Sequence, residues 1–358
     1  MSTQPLLGLI LSVVLTLGTG VIGADKASSG LQPGKPVDYA SLAFEPDAWR
    51  KRGLSLTLYP WAGQELVFLT TTNRLDPKVM AIFLDRLDSG WKLYADLTGR
   101  KPSLFKQIEA KPVLAAVPDA SLTCGYGCGY IGATGIEVAG FYANDYPLVQ
   151  RNPKAFPHYY FYEMGRNFYT FGDRHSLFIT GYAVLMRYVC MDALGCEDPD
   201  RPTREFIEQA ESLVAKGDLD FLQAFTTHGG LDEKAPRLKT PDGQWLHPSD
   251  QPVLYASAML RLRKDWGGDA WLKRFFLELA RCPKIEVKNR ADALRQAWNW
   301  VIAASCAARK DLSPVFAARW KFPVSPVAAK ALSEVRWTAA ETDAAAVWSQ
   351  VDPIVSHP

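Results

Sequence analysis

The chain has 358 residues, with 40 basic side chains against 38 acidic ones and a net charge of +2. That balance gives no support to a nucleic-acid partner or to steering by acidic ligands. An apolar content of 48% supplies a real core, in one large or two ordinary domains.

Residues 1–24 read as a signal peptide. The run from Leu6 to Ala24 is uncharged, Asp25 is the first charged residue, and the small residues Val21, Gly23 and Ala24 stand near a cleavage point. The first five residues lack the usual Lys or Arg. Retention as an anchor is therefore the alternative, because about 20 apolar residues span a bilayer. Membrane contact is expected only through this segment if it stays uncleaved, and the expected location is secreted or periplasmic. Residues 25–45 form a flexible leader, rich in Ser, Gly and Pro up to residue 40.

Leu54, Leu56 and Leu58 alternate with Ser55 and Thr57, as in a half-buried strand, and Gly63 turns the chain into a second strand over 65–71. Asp76 is an N-cap and Pro77 suits the first helical position. Val79, Phe83, Leu87, Trp91 and Tyr94 then form an apolar stripe that ends near Thr98-Gly99. Pro112 to Val117 is a short buried strand. A glycine-rich stretch over 121–139 follows, and Gly135 to Val138 is expected as an edge strand. Helices are predicted over 157–171, 176–194, 203–216, 251–265, 268–281 and 290–309, with a long loop over 229–250. Strands first and helices afterwards make an α+β fold.

The six cysteines fall as Cys124/Cys128, Cys190/Cys196 and Cys282/Cys306. Behind an export signal they read as disulfides, with nearest-neighbour pairing favoured. A metal site on Cys124 and Cys128 is the rival reading, without a second cysteine pair or a histidine to complete it.

Tyr162-Glu163-Met164-Gly165-Arg166-Asn167-Phe168 resembles the zinc-protease signature His-Glu-x-x-His followed by Asn-Phe. Ile179 to Tyr188 looks like the Glu-Gly-x-Ala-Asp-Tyr-x-Arg stretch of plant basic secretory proteins. Asp311 to Phe316, then Trp320 to Ser325, resembles the closing segment of enhancin-like and basic secretory peptidases. Thr98 to Pro102 is similar to those families as well. The resemblance covers about residues 50–326 and implies a divergent zincin of the gluzincin type. Such a fold has an N-terminal twisted mixed sheet with helices and a mainly helical C-terminal half. It divides the chain into a sheet-and-helix subdomain over 46–157, a helical subdomain over 158–328 and a tail over 329–358.

The three ligand positions that the resemblance implies carry Tyr162, Arg166 and Thr180. A guanidinium has no lone pair and stays cationic, so no metal and no cofactor is expected there. Arg166 could instead stand where the ion would be and hold Glu163 ionised, the favoured alternative being an ordinary helix salt bridge between them in a relict cleft. His158 precedes Tyr162 by one helical turn, which makes a substitute metal site conceivable, whereas His175, His228 and His247 lack ligand spacing.

Three readings of function remain open. The first is an exported pseudo-metallopeptidase that binds a peptide or glycan, with Tyr126, Tyr130, Tyr162, Arg166, Asn167 and Thr180 at the site. Of the aromatic residues in the glycine-rich region, Phe141, Tyr142 and Tyr146 are also expected to be exposed. The second is a metal-independent glycosidase-like hydrolase with Glu163 and Glu137 as a carboxylate pair, Asp145 and Asp173 being other candidates for the partner. The third is a metallopeptidase with unrecognised ligands.

Overall fold

The computed structural model describes residues 31–171, 176–217, 219–226 and 251–355. The segment read as a signal peptide, the loop expected at 229–250, and Asp173, His175, His228 and His247 lie outside them. Seven strands form one mixed sheet: β1 (Val37–Asp38), β2 (Thr57–Ala62), β3 (Val67–Thr70), β4 (Gln107–Ile108), β5 (Lys111–Ala116), β6 (Gly127–Gly129) and β7 (Ile136–Val138). Their order is β1-β2-β3-β5-β7-β6, with β4 paired to β5 off that path. The central β3, β5 and β7 run parallel and the flanking pairs run antiparallel.

Parallel neighbours need a crossover. Helix α1 (Pro46–Lys51) precedes the sheet's main strands, and α2 (Pro77–Thr98) carries the chain from β3 to β5. The Asp76 carboxylate accepts the Lys78 N–H at 2.8 Å, Pro77 opens the helix, and Gly99 closes it at φ 65°. Asp88, one residue beyond the stripe position Leu87, accepts the N–H groups of Gln64 (2.6 Å), Glu65 (2.9 Å) and Leu66 (3.2 Å). It thereby pins the β2–β3 turn to α2.

Strand alternation divides the core. Phe68, Leu114, Ala116, Ile136 and Val138 face the helices. Val67, Leu69, Val113, Ala115 and Val117 face a smaller cluster around Tyr39 and Trp49. On the helical side lie α3 (Tyr146–Arg151), α4 (Tyr159–Phe168) and α5 (Ser176–Ala193). After them come α6 (Arg201–Ala210), α7 (Ser212–Lys216), α8 (Phe221–Phe225), α9 (Gln251–Trp266) and α10 (Gly268–Leu279). The chain ends with α11 (Arg290–Ala308), α12 (Ser313–Trp320), α13 (Pro326–Ser333) and α14 (Ala344–Val355). The expected α+β class is the observed one, a mixed sheet with helices and then a mainly helical half. A single apolar cluster runs from Phe83 through Met164 and Tyr182 to Trp300 and Trp348, so both halves share one core. No helix among the described residues is long and apolar enough to cross a membrane.

Several expectations change. The edge strand is β6, and Gly135 to Val138 supplies the interior strand β7, because the glycine-rich stretch folds back as an extra antiparallel strand outside it. The leader is not free over its described part: Tyr39 is buried and β1 joins the sheet. The C-terminal tail is folded too, with Val347, Trp348 and Val351 in the core. Only Cys124 and Cys128 are bridged. Cys190, Cys196, Cys282 and Cys306 are free thiols, and that of Cys282 faces the carbonyls of Glu278 (3.5 Å) and Asn299 (3.6 Å). Nearness in sequence did not bring those sulfurs into bonding position.

Helix α4 packs closely on α5 at Gly165. A Cβ there would meet the Ala183 Cα of α5 at 2.9 Å and the Tyr94 hydroxyl at 3.0 Å. Gly165→Ala should therefore lower stability by about 1–3 kcal/mol through overpacking, although alanine is the better helix former by about 1 kcal/mol. Urea unfolding measures this, and a stabilised variant would disprove the close approach.

Candidate functional site

Helix α4 carries Tyr162, Glu163, Arg166 and Asn167, and it lies beneath the edge strand. Alternation places Gly127 and Gly129 of β6 on its side of the sheet. A Cβ at Gly127 would stand 2.8 Å from the Glu163 Oε1, and one at Gly129 would stand 2.6 Å from the Glu163 backbone oxygen. Only glycine leaves room for the carboxyl group here. Asn167 ties the helix to the β6–β7 turn by donating from Nδ2 to the carbonyls of Tyr130 (2.9 Å) and Gly135 (3.2 Å). The Gly132 N–H adds a bond to the Arg166 carbonyl at 3.0 Å.

The hydrogen bonds of β6 set the direction of its backbone groups. The Ala139 N–H donates to the Tyr126 carbonyl (2.8 Å) and the Tyr130 N–H to the Gly135 carbonyl (3.2 Å), while Cys128 stands opposite Glu137. Hydrogen-bonded and non-bonded pairs alternate in an antiparallel ladder. The N–H and C=O groups of Gly127 and Gly129 therefore point away from β7, to the open side of the sheet. Among the described residues no strand pairs with that side.

Glu163 is 5% exposed. Its Oε2 has no hydrogen-bond partner, and the nearest cation, the Arg166 Nε, is 4.0 Å away. Burial pushes its pKa up to about 7, and the Arg166 charge opposes the shift without cancelling it. The expectation that Arg166 keeps Glu163 ionised is thus overturned: at that distance desolvation wins. The Arg166 Nη1 instead donates to the Tyr162 hydroxyl at 3.3 Å. Thr180 is half-buried on α5, with no hydrogen bond to either residue among the described ones.

The structure does not bring Glu137 to Glu163. Glu137 shares its sheet face with Ala115, its β5 neighbour in register, and so points away from α4. The Tyr39 hydroxyl (2.6 Å) and the Phe44 N–H (2.9 Å) donate to its Oε1, and burial raises its pKa. It anchors the leader to β7. A sequence pattern could not show this, since the facing of β7 follows from a strand order that depends on β6. Asp145 is likewise committed elsewhere, accepting from the hydroxyls of Tyr159 and Tyr160 at the start of α4. No carboxylate pair is assembled around Glu163 from these residues.

Of the aromatic residues expected at the surface, Tyr126 is 48% exposed and Tyr130 is half-buried, stacked on Phe44 at 4.2 Å. Phe141, by contrast, lies fully in the core beside Phe68 and Phe83, and Tyr142 and Tyr146 are partly buried. The residue that sequence reasoning missed is Arg187 of α5. Its guanidinium lies 6.0 Å from the Tyr162 ring centre, as does that of Arg166.

A zinc ion does not fit the residues present, because Arg166 offers a positive charge and no lone pair where the sequence resemblance would put a ligand. His158 does not repair the site. Burial and the Arg187 charge lower its pKa to about 4, which keeps the ring neutral, but the same Arg187 charge would oppose a cation there. Among the described residues no three His, Cys, Asp or Glu side chains gather closely enough to hold a metal ion.

No family model matches the chain. No curated protein matches it either. Two solved structures, a functionally unknown conserved protein from Bacillus anthracis str. Ames and a mutant form, are similar at TM-scores of 0.45 and 0.47. Sequence identities are 10% and 11%, and the aligned regions cover 80% of this chain but 55% and 53% of those proteins. The chain thus spans about half the length of the proteins it matches.

The raised pKa of Glu163 predicts a pH dependence of stability. An unfolded glutamate titrates near 4.5, so the folded state binds this proton more tightly. The stability it confers is fully present below about 4.5 and is lost as pH rises through about 7, a change of about 3 kcal/mol. Glu163→Gln should gain up to that amount over the natural protein at pH 8 and almost nothing at pH 4, as urea unfolding would measure. An equal difference at both pH values would show that Glu163 does not titrate in this range.

Proposed function

We propose that this protein is an exported pseudo-metallopeptidase of zincin descent, whose site binds an extended peptide and does not cleave it. One observation carries the reading. The outward N–H and C=O groups of Gly127 and Gly129 offer an unpaired strand edge beside a helix whose metal-ligand positions are Tyr162 and Arg166. An extended peptide added to that edge gains main-chain hydrogen bonds and lays alternate side chains toward α4. Hydrolysis is disfavoured because the positions where the resemblance implies metal ligands carry Tyr162 and Arg166, which do not fit a cation, and neither Glu137 nor Asp145 stands beside Glu163 as a second carboxyl. The same edge favours a peptide over a glycan, which has no backbone amide ladder to match it. Descent from a zincin is supported by the sequence resemblance together with the placing of α4 under an antiparallel edge strand.

Affinity selection from a pool of random octapeptides, with chelator present, tests the reading. A selected peptide should bind equally well with and without chelator and should be recovered uncut. N-methylation at alternate residues should abolish binding in one register and spare it in the other, as strand addition requires. Cleavage of the peptide that disappears in Glu163→Gln would overturn the proposal, and so would preferential binding of glycans.

A further inference from the structure

Resting on that reading of the α4–β6 surface, we infer that the site holds a carboxylate group of its ligand, received by the Arg166 guanidinium beside Tyr162 and reinforced by the charge of Arg187. Two guanidinium groups stand at 6.0 Å from one tyrosine ring, one from α4 and one from α5. Neither has a close counter-charge among the described residues. Arg166 reaches Glu163 only at 4.0 Å, and the side chain of Arg166 remains 28% exposed, so a ligand can touch it. Arg187 makes no ion pair among those residues. Its Nη2 donates to the Tyr188 hydroxyl at 2.8 Å, and its Nε is buried without a partner.

Such an arrangement is costly when empty, since a partly buried cation without an anion loses hydration that one hydrogen bond to a hydroxyl only partly restores. A planar carboxylate matches a guanidinium fork with two parallel hydrogen bonds. Glu163 does not already fill this role. Its carboxyl is wedged under Gly127 and Gly129, and its pKa of about 7 leaves much of it uncharged near neutrality. Facing it are Arg166 on its own helix, Tyr94 from α2, and glycines from β6. A neutral Glu163 would not repel a carboxylate bound beside it.

The carboxylate could be a peptide C-terminus or an Asp or Glu side chain, and one experiment separates the two. Random octapeptide pools, acetylated at the N-terminus and ending in either a free acid or an amide, are passed over the immobilised full chain and quantified by mass spectrometry. At least tenfold preference for the acid pool would assign a C-terminal carboxylate. Enrichment of Asp or Glu within the retained amide pool would assign a side chain. In either case Arg166→Met should weaken binding about tenfold or more, and Arg166→Lys should restore part of it, which separates loss of charge from loss of fold. Retention of both pools alike, with no acidic enrichment and no effect of Arg166→Met, would overturn the carboxylate inference while leaving the peptide site standing. Retention of neither pool would overturn both.

Discussion

Helix α4 sits closer to its surroundings than side chains normally permit, and the rest of the site follows from that. Gly127 and Gly129 clear β6 for Glu163, Gly90 of α2 clears space for the Phe161 ring, and Gly165 lets α5 approach at Ala183. Each glycine costs conformational entropy on folding. What it returns is a helix fixed by contact on three sides, with the Glu163 carboxyl wedged against β6. Asn167 and the β6–β7 turn lock the remaining direction.

This seating explains why Glu163 and Arg166 behave unlike an ordinary helical ion pair. At a surface, such a pair would be solvated and weakly attractive. Here the carboxyl group is sealed under strand backbone while the guanidinium stays part-way out toward solvent, so the two do not close to hydrogen-bonding distance. Desolvation then outweighs attraction. A carboxyl group held in this way takes up a proton more readily than an exposed one.

Much of the architecture was legible in the sequence because it was written in local chemistry. The Asp76-Pro77 start and the Gly99 stop of α2, the alternation leading into β2, and the helical spans at 251, 268 and 290 all rest on signals within a few residues. The position of Glu163 on a short aromatic helix was legible for the same reason. What escaped was non-local. Glu137 and Glu163 seemed natural partners until strand order put them on opposite faces of the sheet. Tyr39 and Trp348 stand in segments whose composition suggests mobility, yet each is buried by contacts far away in the chain. Arg187 was hidden because its significance depends on which way α5 turns toward Tyr162. The cysteine pairs at 190/196 and 282/306 failed for a related reason: adjacency in the chain does not orient two sulfurs.

The one bridge that does form has an unusual setting. Cys124 and Cys128 close a ring of five residues that includes Gly125 and Gly127, just where β6 begins. A stretch so rich in glycine, three residues long as a strand and paired on one side only, would ordinarily be among the last parts of a sheet to hold its shape. Closing even so small a ring removes about 2 kcal/mol of chain freedom from the unfolded ensemble, which offsets much of what the glycines surrender. The oxidation state of the compartment therefore governs the rigidity of the wall above Glu163, and under reducing conditions the protein would keep its core while losing definition along that single edge.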